Sequence, residues 1–245
     1  DLISGAGTKA ETLADLQSLW TLMYERERPG IWQFDSRVIV GGKGRPNEEN
    51  ADSLALLAME ATKRRQEIIP QFTLRFYDGQ NPALYEKALE VLATGLPYPM
   101  LYNDDVNIPA VQNAFDIPCE DAVEYLPFGC GEYIINHKSF GTPSGVINLL
   151  QALLVTLHGG VNPTTGEKMG LAGPTEFQTF DDLLAAYKRQ VEYHVNVLAE
   201  QQALEYNIAG REAPYLFFSM LFDDCIDRGR AVFDGGIRYL GGTLE

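Results

Sequence analysis

Gln71-Phe72-Thr73-Leu74-Arg75-Phe76, then Asn81-Pro82, then Leu96-Pro97-Tyr98-Pro99-Met100-Leu101-Tyr102, is the stretch that decides the fold. The first run reads as a short strand. Asn81-Pro82 opens a helix, with Asn as the cap and Pro at the first helical position, where its missing N–H costs nothing. Leu84, Ala88, Leu89 and Leu92 are its apolar positions, and Gly95 stops it. Leu96 to Tyr102 resembles a buried strand despite its two prolines. A strand, a helix and a second strand in this order predict a parallel pair, because a parallel connection needs a crossover.

The same alternation extends in both directions. Thr12 to Arg26 reads as a helix carrying Leu13, Leu16, Leu19, Trp20 and Met23 on one stripe. Trp32 to Val40 reads as a strand entering Gly41-Gly42-Lys43-Gly44. That turn invites a phosphate-loop reading but lacks the Gly-Lys-Ser/Thr ending and a helix directly behind it. Asn50 or Asp52 is the expected cap of the next helix, with Leu54, Leu57, Ala58 and Ala61 on its buried face. Beyond the opening stretch, Asn103-Asp104-Asp105 is a polar turn, Ile108 to Phe115 a short helix, and Val123 to Phe128 a strand. A helix is expected from Ser144 through Leu157. Thr179 with Asp182 forms a capping-box-like start for the longest helix. Pro214 to Arg228 reads as a last, buried helix, and Ile237 to Leu240 as a terminal strand. The fold class is therefore α/β with mainly parallel strands, in one domain over residues 1–245.

With 34 acidic against 19 basic residues, the net charge is -15. Such a chain repels phosphate backbones, so nucleic acid is not an expected partner. No apolar run reaches the roughly 18 residues needed to span a bilayer, and the first residues lack a signal-peptide pattern, so a cytoplasmic protein without a membrane association is expected. Cys119, Cys130 and Cys225 are too few and too widely spaced for a disulfide framework, and His137, His158 and His194 are scattered. No metal site is expected.

The chemistry-bearing stretch is Leu126-Pro127-Phe128-Gly129-Cys130-Gly131-Glu132-Tyr133. Flanking glycines allow a tight backbone turn, and a thiol and a carboxylate one residue apart can face one small cavity. The competing reading is a buried, inert Cys beside an incidental Glu. Three chemistries are open. Thiolate catalysis needs a base or cation to lower the thiol pKa, and only His137 is at hand. Metal binding lacks a second soft ligand. Radical chemistry needs no thiolate: a thiyl takes a hydrogen atom from carbon, and the carboxylate removes a proton from a substrate hydroxyl acidified by the adjacent carbon radical.

Several blocks in order resemble the glycyl radical enzymes of the pyruvate formate-lyase superfamily. They are Trp32-Gln33 through Gly41-Gly42, Pro70 to Arg75, Gly95 through Asn103-Asp104-Asp105 to Pro109, Glu120-Asp121-Ala122, Gly129-Cys130-Gly131-Glu132, Asn148-Leu149-Leu150 and Phe217-Phe218-Ser219-Met220-Leu221. The resemblance implies part of a ten-stranded α/β barrel with the Cys loop inside it. It implies Cys130 as the thiyl-forming residue and Glu132 as the general base of a dehydratase or C–X lyase acting on a small molecule. Gly129 and Gly131 replace the second cysteine used in acyl transfer, which disfavours a formate acetyltransferase-like activity. Gly131 and Tyr133 depart from the family's usual Gly-Cys-Val-Glu-Pro/Thr, so with His137 and Asp104 they are candidate pocket residues. A helix-capping turn is the competing reading for Asp104, and a surface loop for His137.

The resemblance further implies a protein glycyl radical installed by a radical SAM activating enzyme. No Arg-Val-x-Gly-Tyr motif occurs here, so the chain is expected to be the central to C-terminal part of the barrel, without the glycyl radical domain and inactive in isolation. Its expected partners are the remaining enzyme segments or a small radical-bearing chain, together with further copies in a homo-oligomer. A non-catalytic scaffold that keeps the barrel core is the alternative.

Overall fold

The computed structural model of the protein describes residues 7–27, 36–128, 132–140 and 145–240. The chain divides into two compact units, Asp1–Gly141 with Tyr239–Glu245, and Thr142–Arg238.

The first unit is built on a three-stranded parallel sheet. Strands β1 (Arg37–Gly41), β2 (Gln71–Phe76) and β3 (Met100–Asn103) lie in the order β1-β2-β3. Helices α1 (Lys9–Glu27), α2 (Glu48–Arg65) and α3 (Pro82–Leu92) supply the connections and the cover. Their buried residues Leu13, Trp20, Ala55, Ala58, Met59, Ala61, Leu84, Ala88 and Val91 join Phe72 and Leu74 of β2 in one core, with Val38, Val40 and Leu101 packed against it. Trp20 Nε1 donates to Thr62 Oγ1 at 2.9 Å, which satisfies the indole N–H inside that core.

The expected boundaries of β2 and the Asn81-Pro82 start of α3 hold: Asn81 Oδ1 accepts from Ala83 N at 3.1 Å. The cap of α2 is different. Asn47, in extended backbone, accepts from Asn50 N at 3.0 Å, whereas Asp52 is buried within the helix and paired with Arg45. A cap must stand outside the helical backbone and reach the third N–H of the first turn, and Asn47 alone does so. Of the expected face, Ala58 and Ala61 are buried and Leu57 packs against the core, whereas Leu54 is exposed; Ala55 and Met59 complete the buried side, where small side chains let neighbouring helices approach.

Helix α4 (Asp104–Phe115) starts directly at the end of β3, four residues before its expected start, because Asn103 caps it by accepting from Asp105 N at 2.9 Å. A short helix α5 (Cys119–Ala122) leads into β4 (Tyr125–Phe128), which pairs antiparallel with β5 (Glu132–Ile135) as a hairpin. Ser139–Phe140 (β6) pairs in parallel with Tyr239–Leu240 (β7), which is shorter than the expected terminal strand.

In the second unit, the helix expected from Ser144 begins at Leu149 (α6, Leu149–Leu157), where Asn148 Oδ1 accepts from Gln151 N at 3.0 Å. The long helix α7 (Phe180–Glu212) carries the expected capping box, Thr179 and Asp182 each accepting from the other's backbone N–H. The expected buried helix over Pro214 to Arg228 is instead two pieces, α8 (Leu216–Ser219) and α9 (Asp223–Arg228). Ser219 Oγ accepts from Val232 N at 3.0 Å at the break. Phe217 is 80% exposed, and Leu216, Met220, Leu221 and Ile226 are exposed too, so apolar composition here does not mean burial. Among the described residues, no helix is long and apolar enough to cross a membrane.

Candidate active site

Three pieces of the first unit converge on the hairpin. The first is an ion pair beneath it. Arg75, at the carboxyl end of β2, donates from Nε to Asp104 Oδ1 and from one terminal nitrogen to Asp104 Oδ2, both at 2.9 Å. Its remaining donors reach the carbonyls of Val123 and Tyr125, each at 2.9 Å, and its guanidinium lies 4.0 Å from the centre of the Tyr125 ring. Asp104 is fully buried and also accepts from Tyr125 Oη at 2.7 Å and from Lys43 N at 2.7 Å. Four donors saturate its carboxylate. The arrangement clamps the end of β2, the start of α4 and the start of β4 together. Burial, and then the hydrogen bond to Asp104, push the Tyr125 phenol far above its usual range.

The glycine-rich turn after β1 packs over this clamp. Gly42 N donates to Arg75 O at 2.8 Å, and the next N–H, Lys43, is taken by Asp104. A Cβ at Gly42, whose φ is +88°, would stand 2.9 Å from Arg75 Nε and 3.1 Å from Asp104 Oδ2. Gly42 makes room for the ion pair, and its N–H and that of Lys43 are already used rather than offered to a phosphate.

The second piece is the hairpin. Phe128 and Glu132 are its closing pair, and the registers run back to Tyr125 opposite Ile135. Gly129, Cys130 and Gly131 join the two strands and lie outside the described residues. Glu132 is half-buried, and its Oε2 is buried with no hydrogen-bond partner among the described residues. A buried acceptor left unmatched costs roughly 1–3 kcal/mol and marks a place where a donor is expected to arrive. Tyr133 is held on both sides. Its ring meets Tyr102 edge-on at 6.2 Å and Tyr125 at 5.5 Å, and its hydroxyl donates to Asn107 Oδ1 at 2.6 Å. Burial pushes its phenol up. His137 stands apart from this group: it is exposed, in a turn with φ of +59°, beyond the opposite end of β5 from Glu132.

The third piece is the face of the parallel sheet turned away from the helices. Phe72 and Leu74 belong to the helix-facing core, so alternation places Gln71, Thr73 and Arg75 on the opposite face. The registers add Arg37 beside Gln71, and Tyr102 beside Arg75. This face is polar in a strand that is buried along most of its length. Arg37 bonds to the Gln71 side chain. Thr73 is fully buried, and its Oγ1 has no partner among the described residues. Tyr102 connects this face to the hairpin: burial raises its phenol first, Arg37 opposes the shift, and the charge of Glu132 adds to it.

Sequence reading placed Glu132 and Tyr133 together, and they are together. It read Asp104 as a pocket candidate or a capping residue, whereas Asn103 does the capping and Asp104 is the anion of the clamp. It missed Arg75, Tyr125, Thr73 and Tyr102. Arg75 left a signal, since a lone charge in a strand this apolar requires a partner. The others left none, because tyrosine and threonine are ordinary strand residues. Among the described residues, no group of three or more His, Cys, Asp or Glu converges as a metal site.

Residues 12–245 match the family model described as pyruvate formate lyase-like. The chain is 24% identical over 205 residues to the (2S)-3-sulfopropanediol dehydratase of Klebsiella oxytoca, covering 82% of this chain and 25% of that one. It is 24% identical over 236 residues to the trans-4-hydroxy-L-proline dehydratase of Clostridioides difficile, covering 91% of this chain and 30% of that one. Among solved structures, one described for 1,2-propanediol dehydration in Roseburia inulinivorans superposes with a TM-score of 0.85 at 25% identity, over 98% of this chain and 31% of the other. The B12-independent glycerol dehydratase of Clostridium butyricum, in its glycerol-bound form, gives 0.81 at 26% identity, over 96% and 31%. The chain thus spans about a quarter to a third of the length of these relatives. With an α/β fold shared over nearly its whole length and a family match from residue 12 to residue 245, the chain belongs to the pyruvate formate lyase-like family.

Proposed function

We propose that this chain carries the reactive cysteine and the general base of a glycyl radical dehydratase or related C–X lyase. Cys130 is the hydrogen-atom carrier and Glu132 the base. The observation that carries the reading is the buried Glu132 Oε2, unmatched among the described residues and two residues in sequence from Cys130, where the hairpin pairing ends. A carboxylate in that position needs an incoming donor, and a substrate hydroxyl provides one. Gly129 and Gly131 place no charge beside the sulfur, and Leu126 and Ile134 are paired further down the hairpin, which suits a hydrogen-atom carrier.

The implied glycyl radical, installed by a radical SAM activating enzyme and carried on a segment beyond this chain, would supply the unpaired electron. The residues here do the rest. Cys130 and Glu132 are two residues apart in the chain, so that the carbon losing hydrogen and the oxygen losing a proton can belong to the same C–OH group. Glu132 takes that proton once the carbon has become a radical centre. Charge on the oxygen then drives the group on the neighbouring carbon to leave. A diol or triol fits this sequence of events, in keeping with the sulfopropanediol, propanediol and glycerol named for relatives.

The test uses the complete enzyme, activated anaerobically, with glycerol, 1,2-propanediol and trans-4-hydroxy-L-proline as probes. A glycyl radical seen by electron paramagnetic resonance in wild type, Cys130→Ala and Glu132→Gln alike, with turnover lost in Cys130→Ala and reduced roughly 10²–10⁴-fold in Glu132→Gln, is the expected result. Turnover by Cys130→Ala overturns the mechanism.

A further inference from the structure

Three tyrosines meet at the hairpin, and two of their hydroxyls are committed. Tyr125 donates to Asp104 and Tyr133 to Asn107. The third, Tyr102, has no hydrogen-bond partner among the described residues. Its position is fixed on two sides. The register opposite Arg75 sets it on the polar face of the sheet, and the edge-on contact with Tyr133 ties its ring to the strand that begins with Glu132. Two buried polar atoms have no partner among the described residues, Glu132 Oε2 on the hairpin and Thr73 Oγ1 on the sheet face. In register, Thr73 lies between the rows of Arg37 and Tyr102. An unmatched acceptor, an unmatched hydroxyl and a phenol with an unused donor outline a place for a molecule with more than one oxygen.

Resting on the dehydratase reading above, we propose that Tyr102 is a catalytic residue, whose hydroxyl donates its proton to the oxygen that leaves from the carbon next to the one whose hydroxyl Glu132 deprotonates. The balance is simple. Glu132 accepts one proton from the substrate hydroxyl. The C–O bond on the neighbouring carbon breaks, and its electron pair stays with the departing oxygen. That oxygen takes the Tyr102 proton and leaves as water. The unpaired electron remains on the substrate carbon skeleton. Glu132 then returns its proton to the phenolate, so acid and base end as they began.

The electrostatics order these events. Burial is the main hold on the Tyr102 proton, and the charge of Glu132 adds to it; when Glu132 is protonated, that added part is removed. Arg37 acts in the other direction and favours the phenolate. Taking a proton at Glu132 therefore makes the proton at Tyr102 easier to give.

The experiment compares wild type, Glu132→Gln and Tyr102→Phe in the complete, anaerobically activated enzyme, with glycerol and 1,2-propanediol as probes. Tyr102→Phe keeps the ring and its contact with Tyr133, and the melting temperature checks this. The expected result is a kcat lowered about 10²-fold in Tyr102→Phe, with KM changed less than about 3-fold and the glycyl radical signal intact. Incorporating 3-fluorotyrosine at position 102, which keeps the hydroxyl, keeps kcat within about 10-fold of wild type. Loss of turnover in Glu132→Gln with Tyr102→Phe unimpaired, or a fluorotyrosine enzyme as slow as Tyr102→Phe, overturns the role of Tyr102 and leaves the dehydratase reading standing. Wild-type inactivity on both probes overturns this proposal, which needs a leaving hydroxyl beside the deprotonated one, and full activity of Glu132→Gln overturns the dehydratase reading together with it.

Discussion

Removing the Asp104 carboxylate, as in Asp104→Ala, takes the acceptor away from four donors at once: two from Arg75, the Tyr125 hydroxyl and the Lys43 N–H. The side chain of Asp104 is 0% exposed and that of Arg75 7% exposed, so water cannot replace the lost acceptor. Each charge-assisted bond is worth roughly 1.5–3 kcal/mol, but they share one carboxylate and do not add. Breaking a buried ion pair from one side costs about 3–5 kcal/mol, and we take about 4. For a protein of this size that corresponds to a melting temperature lower by roughly 8–16 °C. Urea unfolding followed by tryptophan fluorescence measures it directly, because both tryptophans, Trp20 and Trp32, lie in the first unit. Replacing both partners, Arg75→Met with Asp104→Leu, leaves no buried charge and should recover about half of the loss. A loss below about 1 kcal/mol in Asp104→Ala, or a double variant no better than the single, would refute the clamp as the tie between sheet and hairpin.

Gly42→Ala places a Cβ against the guanidinium at a φ of +88° and should destabilise the protein by about 1–3 kcal/mol in the same assay, where an equally stable variant would remove the glycine turn from the packing argument. The Glu90 carboxyl is held down at about 2 by hydrogen bonds from Lys63 and then Lys87. A folded pKa below the unfolded 4.5 means stability that is present above pH 4.5 and lost as the pH falls towards about 2. Glu90→Gln should therefore flatten the stability profile between those limits, and added salt should shrink the difference, since the group is exposed. An unchanged slope in acid urea melts would show that the two lysines do not hold it.

Local signals in the chain were read correctly wherever one turn of backbone decides the outcome. The Asn81-Pro82 start of α3 and the Thr179–Asp182 capping box are contacts over two or three residues, so neighbours in sequence are enough to specify them. Errors arose where several residues of one kind compete or where tertiary partners choose. Asn47 won the α2 cap over Asn50 and Asp52 through backbone conformation and reach, while Asp52 was drawn into a pair with Arg45. The segment from Pro214 looked like a buried helix, but its break depends on Ser219 meeting Val232, thirteen residues on.

What the sequence by itself determined was the α/β alternation, the family, and the adjacency of Cys130 and Glu132, because strand and helix periods, turn chemistry and a short motif are all local properties. Only the tertiary structure decided that Arg75 and Asp104, 29 residues apart, close on each other under the hairpin. It also decided that Gly42 clears space for them, and that Glu132 keeps a buried oxygen without a partner among the described residues, close enough to Tyr102 for its charge to act on that phenol. The physical reason is that a buried charge or hydroxyl takes its meaning from whatever fills the space around it, and in this chain those fillers arrive from other strands.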